Sequence, residues 1–138
     1  MPTTPGAQPS MPGDGSSVRD EAEALADGMS VKEQAASLLM AGVPASGASA
    51  AQIAALQEQG ISNVFLRGRS QLSVSQTAAQ VRKITGALER NVPGKLPVWV
   101  ATDQEGGFVR VLQGPGFPEL PTAVKQGAWS QATLKSRM

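Results

Sequence analysis

Three times along this chain a serine is followed, three residues later, by glutamate or glutamine, and a helix-forming segment begins there. The tetrapeptides are Ser30-Val31-Lys32-Glu33, Ser49-Ala50-Ala51-Gln52 and Ser73-Val74-Ser75-Gln76. Each matches the capping box, in which the serine oxygen and the third-residue side chain reciprocally satisfy orphan amides at a helix start. After each comes a short apolar run. The first is Leu38-Leu39-Met40-Ala41-Gly42-Val43, ending at Pro44. The second is Ile61-Ser62-Asn63-Val64-Phe65-Leu66, between Gly60 and Arg67-Gly68, and the third is Leu96-Pro97-Val98-Trp99-Val100-Ala101-Thr102 after Pro93-Gly94. Each has the length of a buried strand, and no two-residue hairpin turn joins any pair. Helix and strand alternating in this way is the grammar of a parallel α/β sheet joined by crossovers. The first run has a second reading, as the last turn of the helix that begins at Ser30.

A further helix is expected over residues 18–26, rich in helix formers with acids in its first turn and stopped by Asp27-Gly28. In the longest helix Val74, Ala78, Val81, Thr85 and Leu88 keep one face. After Thr102 the pattern changes to loop, with a short extended piece over 108–112 and a last helix over about 130–136. Residues 1–17 hold four of the ten prolines and no aliphatic run. That composition buries too little apolar surface to offset the entropy of ordering, so a flexible tether is expected there and one ordered domain over 18–138. The tether lacks the basic start and apolar stretch of a secretory signal. Spacers of this kind follow export signals and lipid anchors and also occur as plain tails; an exported or anchored protein is favoured if an export segment precedes this sequence.

Composition removes several function classes. With 41% hydrophobic and 17% charged residues, the chain is too apolar to be disordered. No run approaches the roughly eighteen apolar residues of a spanning helix, so an integral membrane protein is not expected. Twelve Lys and Arg nearly cancel eleven Asp and Glu, so no nucleic-acid partner is expected. The absence of cysteine removes disulfides, thiolate zinc sites and thiol nucleophiles. The absence of histidine removes the commonest general base, the Ser-His-Asp arrangement and most transition-metal sites. No cofactor or metal is expected, and any chemistry must run on carboxylates, lysine, arginine, hydroxyls and backbone.

Functional groups of parallel α/β folds gather at the carboxyl ends of the strands. Asp14 lies in the tether, and Asp20, Glu21, Glu23, Asp27, Glu33, Glu58 and Glu89 fall on helices or their ends. Only Asp103 and Glu105 follow a predicted strand directly, while Arg67 and Arg69 leave the second strand and Arg110 follows Gly106-Gly107. Asp103 reads either as a turn-forming residue or as a carboxylate that binds ligand hydroxyls or acts as acid or base. If the strand continued, Asp103 and Glu105 would share a face about 7 Å apart, with carboxyl groups able to approach the roughly 5 Å of a retaining glycosidase. Gly106-Gly107 is expected to break the strand and let backbone approach a ligand. Gly94-Lys95 lacks the Ser/Thr and the glycine spacing of a phosphate loop. Trp99 is expected between sheet and helices; Trp129 reads as a covered or exposed aromatic ahead of a sugar platform.

Trp99-Val100-Ala101-Thr102-Asp103-Gln104-Glu105-Gly106-Gly107, followed by Val109, Leu112, Gly116-Phe117 and Leu120-Pro121-Thr122-Ala123, resembles the hallmark segment of glycoside hydrolase family 3. The likeness is to its bacterial β-N-acetylhexosaminidase branch. Met29-Ser30-Val31-Lys32-Glu33, Leu38-Leu39-Met40-Ala41-Gly42 and Gly60-Ile61-Ser62-Asn63-Val64-Phe65-Leu66-Arg67 resemble the family's preceding segments in the same order, so the resemblance spans about residues 29–129.

The resemblance implies the N-terminal portion, about three strands of eight, of a (β/α)8 TIM barrel. It further implies retaining hydrolysis of β-linked N-acetylglucosamine or related sugars through a covalent glycosyl-aspartate. On this likeness Asp103 binds hydroxyls of the non-reducing-end sugar and is not the nucleophile, Glu105 braces the loop, and Arg110 reaches substrate, although it stands one residue before the family's usual arginine position, held here by Val111. The family's general acid and nucleophile lie downstream of the segment present, so this chain is expected to be an inactive N-terminal fragment. A barrel of this kind takes around 250 residues. A piece of it would carry an unpaired parallel edge and is expected to self-associate. The alternative is a non-catalytic carbohydrate-binding or assembly fragment.

Overall fold

All three capping boxes form. The structure, a computed structural model, describes residues 15–92 and 96–137. After a first helix α1 (Gly15–Asp27), Ser30, Ser49 and Ser73 open α2 (Val31–Ser37), α3 (Ala50–Gln59) and α4 (Val74–Leu88). Each serine has extended backbone and accepts a hydrogen bond from the amide three residues on, while the side chain there accepts from the serine's own amide. α3 stops at Gly60, whose left-handed φ of 74° lets its amide bond back to the carbonyls of Gln57 and Leu56. α1 takes in Gly15 to Ser17, which the tether was expected to include; the rest of that tether, residues 1–14, lies outside the described residues.

The apolar runs become β1 (Met40–Pro44), β2 (Asn63–Arg67) and β3 (Val100–Thr102), a parallel sheet in that order. Leu38 and Leu39 lead out of α2 before β1 begins, so the strand reading of the first run holds. The register aligns Ala41 with Val64 and Val100, and Val43 with Leu66 and Thr102. Side chains alternate along a strand, so these positions share a face. Val43, Val64 and Leu66 are buried in one cluster with Ile53 of α3 and Ile84 and Leu88 of α4.

Two details of packing depart from the sequence reading. The buried stripe of α4 is Thr77, Ile84 and Leu88, whereas Val74 is 46% exposed. Val74 belongs to the first turn, where its amide bonds to the Pro115 carbonyl at 3.1 Å and its side chain abuts Gly116, so a loop draws it away from the sheet. Trp99 is 67% exposed rather than packed between sheet and helices. Its backbone joins the sheet, accepting from the Val64 amide and donating to Asn63 Oδ1, and its indole is left in solvent.

The expectation of a partial eight-stranded barrel is not met. A barrel needs a helix after each strand and another parallel strand after that. Beyond β3 the chain instead forms β4 (Gln104–Gly106) and β5 (Val109–Arg110), an antiparallel pair in a sheet of its own. Gly106 and Gly107, at φ 108° and 59°, turn the chain back on itself, a course that side chains with a Cβ resist. The fold is a small α/β protein with a three-stranded parallel sheet and a separate two-stranded ribbon. Buried Ser70 ties the ribbon's exit to the loop after β2, donating from its amide to the Val111 carbonyl and accepting from the Gln113 amide. Two short helices follow: α5 (Ala123–Gly127), capped by Thr122, and α6 (Gln131–Arg137), the expected last helix. No described helix is long and apolar enough to cross a membrane.

Candidate functional site

The carboxyl ends of β2 and β3 meet the ribbon at one place. Arg67 is the last residue of β2, Gly68 takes a positive φ of 85°, and Arg69 follows. Asp103 comes directly after β3, and the β4–β5 register sets Arg110 opposite Gln104, its neighbour. The Val111 amide donates to the Asp103 carbonyl at 3.2 Å. Gln104 acts as a piece of backbone here: its Nε2 donates to the Leu112 carbonyl at 2.9 Å and its Oε1 accepts from the Leu112 amide at 3.0 Å. Phe65, Arg67, Arg69, Asp103, Phe108 and Arg110 line a cavity of about 290 Å³, with Val109 and Val111.

Phe65 is flanked in register by Gly42 and Ala101, both small. The Arg67 stem crosses Gly42, where a Cβ would come within 3.0 Å of it, and Arg67 Nε reaches the Gly42 carbonyl at 3.5 Å. Among the described residues Arg110 Nε is buried with no hydrogen-bond partner. The one ion pair among the described residues is Arg19 with Glu23, far from this cavity in the sequence, so Asp103 is not neutralised by a direct salt bridge. Phe108, 88% exposed, sits in the turn of the ribbon, just before β5.

Glu105 is not part of this cavity. The parallel strand ends at Thr102 and a new ribbon begins at Gln104, so the continuous strand that would have paired Asp103 with Glu105 does not exist. Glu105 is exposed and lines a different cavity, of about 570 Å³, with Glu119, Leu120, Trp129, Leu134 and Arg137. What ties Glu105 to its surroundings is its main chain, whose carbonyl accepts from Gln126 Nε2 at 3.2 Å. Trp129 is covered by its own chain: the Arg137 guanidinium lies 5.2 Å from the ring centroid.

Gly106 and Gly107 approach the chain itself. A Cβ at Gly106 would run into the carbonyls of Leu120 and Pro121, and one at Gly107 into Thr122. Gly94 and Lys95 lie outside the described residues. Among the described residues no three His, Cys, Asp or Glu side chains converge as metal ligands. Sequence reasoning singled out Asp103, Arg67, Arg69 and Arg110 but passed over Phe65 and Phe108. The available signal was an aromatic directly after a Gly-Gly turn, with no periodic partner to bury it. Compared with protein-family models, with curated proteins and with solved structures, the chain matches none.

Proposed function

We propose that the chain is the sugar-binding N-terminal part of a retaining glycoside hydrolase acting on O-glycosidic bonds of the β-linked N-acetylglucosamine class. In this proposal Asp103 holds hydroxyls of the non-reducing-end sugar. The observation that carries it is the position of Asp103. Asp103 stands directly after a parallel strand and lines a cavity of about 290 Å³ together with Phe65, Phe108, Arg67, Arg69 and Arg110. An ionised carboxylate only accepts hydrogen bonds, and its two oxygens can take two neighbouring sugar hydroxyls. The phenylalanine faces suit the C–H face of a pyranose, and the guanidinium groups supply donors for ring substituents. Arg110 contributes such a donor, and Glu105 serves the loop through its main chain.

Retaining hydrolysis takes two carboxyl groups about 5 Å apart, one as acid and one as nucleophile. Asp103 is the one carboxylate among the described residues lining this cavity, which fits a binding role and not a nucleophilic one. The same observation favours a second reading, a non-catalytic carbohydrate-binding fragment.

Calorimetric titration of the whole chain with N-acetylglucosamine tests both. Binding is expected, with Asp103→Ala weakening it by about 1.5–3 kcal/mol, the worth of hydrogen bonds to a charged group. Circular dichroism of the variant should match the parent. Unchanged affinity in Asp103→Ala would overturn both.

A further inference from the structure

Charge in the Asp103 cavity is unequal. Arg67, Arg69 and Arg110 set three fixed cations against one carboxylate, so the lining is positive overall although the whole chain carries only +1. Guanidinium groups have donors and no acceptors, and they remain charged at any ordinary pH. None of the three is ion-paired among the described residues, where the single pair is Arg19 with Glu23. Among the described residues Arg67 bonds only through Nε, at 3.5 Å to a carbonyl, and Arg110 Nε is buried with no acceptor. A buried charged donor without a partner is unfavourable, and a ligand acceptor relieves it. A neutral sugar offers weak acceptors to such a set. A carboxylate or phosphate offers two oxygens in the geometry that a guanidinium fork matches.

We propose that this cavity takes an acidic saccharide, with Asp103 accepting from ring hydroxyls while Arg110, together with Arg67 and Arg69, holds a carboxylate or phosphate on the same sugar. The inference rests on the sugar-binding reading and narrows its substrate class. The two halves of the site would then read the ligand jointly. Asp103 repels a bare anion and requires hydroxyls beside it, and the arginines reward the acidic substituent.

The test is titration of the whole chain with four probes at low ionic strength: N-acetylglucosamine, N-acetylglucosamine 6-phosphate, glucuronate and inorganic phosphate. At least one acidic sugar should bind tenfold or more tightly than N-acetylglucosamine, and the advantage should shrink as salt is raised. Phosphate preference and carboxylate preference are told apart by which acidic probe leads. Arg110→Gln should reduce affinity for the acidic sugar by a larger factor than for the neutral one. Arg69→Gln, at an exposed position with no described bond to lose, should do the same to a lesser degree and keeps the test open if Arg110→Gln does not fold. Acidic probes binding no better than N-acetylglucosamine would overturn this inference and leave the sugar-binding reading standing. Inorganic phosphate binding as tightly as the sugar phosphate would also overturn it, since the site would then read the anion alone. No binding by any sugar would overturn both.

Discussion

Asp103 owes its place to its neighbour. The Gln104 side chain pairs with both the amide and the carbonyl of Leu112, so it extends the β4–β5 ladder past the point where the strands end. Both partners are half-buried. Gln104→Leu keeps the volume and removes the pairing, leaving two backbone groups of Leu112 unsatisfied at a cost of about 1–3 kcal/mol. The expected outcome is a free energy of unfolding in urea lower by that amount, and so a lower midpoint, together with loss of sugar affinity, because Arg110 is positioned by the same ribbon. A variant with unchanged midpoint and unchanged affinity would show that the ribbon holds without this pairing.

At the scale of elements, the three caps offer a comparison within one molecule. The Ser30 hydroxyl, and then the Ser30 amide, hold the Glu33 carboxyl below the usual glutamate range. A depressed folded value means that this contribution is fully present above the unfolded value of about 4.3 and is lost as pH falls through the lower folded value. Gln52 and Gln76 do the same task with neutral amides. Exchange of the Ser30 amide, corrected for intrinsic pH effects, should therefore rise over that acidic window while that of Ser49 and Ser73 does not. Glu33 is exposed, so the effect stays local.

The helices were legible because a capping box is a four-residue signal that needs no tertiary context. The parallel strands were legible for a similar reason, as apolar runs of strand length between such signals. The phase of α4 was not, since Val74 is apolar and correctly spaced but is claimed by the Pro115–Gly116 loop. Ile84→Ala should accordingly destabilise the fold by about 2–5 kcal/mol, as a core truncation does. Val74→Ala should cost well under half as much, and equal losses in thermal or urea unfolding would contradict the observed phase. The ribbon was only partly legible: strands of three and two residues carry no period, so the glycine pair and a short extended piece over 108–112 were its marks. Asp103, Arg67 and Arg69 were singled out because they follow parallel strands, and Arg110 because it follows the glycine pair; the structure sets all four along one cavity. The conditional pairing of Asp103 with Glu105 does not form, because β3 ends at Thr102 and Glu105 lies on the ribbon.

On the scale of the whole molecule, α3 and α4 cover one face of the parallel sheet, and the other carries Met40, Gly42, Phe65 and Ala101. The candidate site lies at the carboxyl end of that second face, where Phe65, the strand ends and the ribbon line the cavity. Fold and proposed function thus share one cause. The glycine turn that ends the parallel order also brings Phe108 and Arg110 to Asp103. A larger cavity floored by Trp129, with Glu105 and Glu119, is the rival location for a sugar, and its aromatic is already stacked under Arg137. The most direct measurement is a backbone amide NMR titration of the chain with N-acetylglucosamine. The expected result is a set of saturable shifts confined to residues 65–69 and 103–111, abolished in Asp103→Ala. Shifts centred on Glu119 and Trp129, or no shifts at all, would contradict the assignment of Asp103 as the sugar-binding carboxylate.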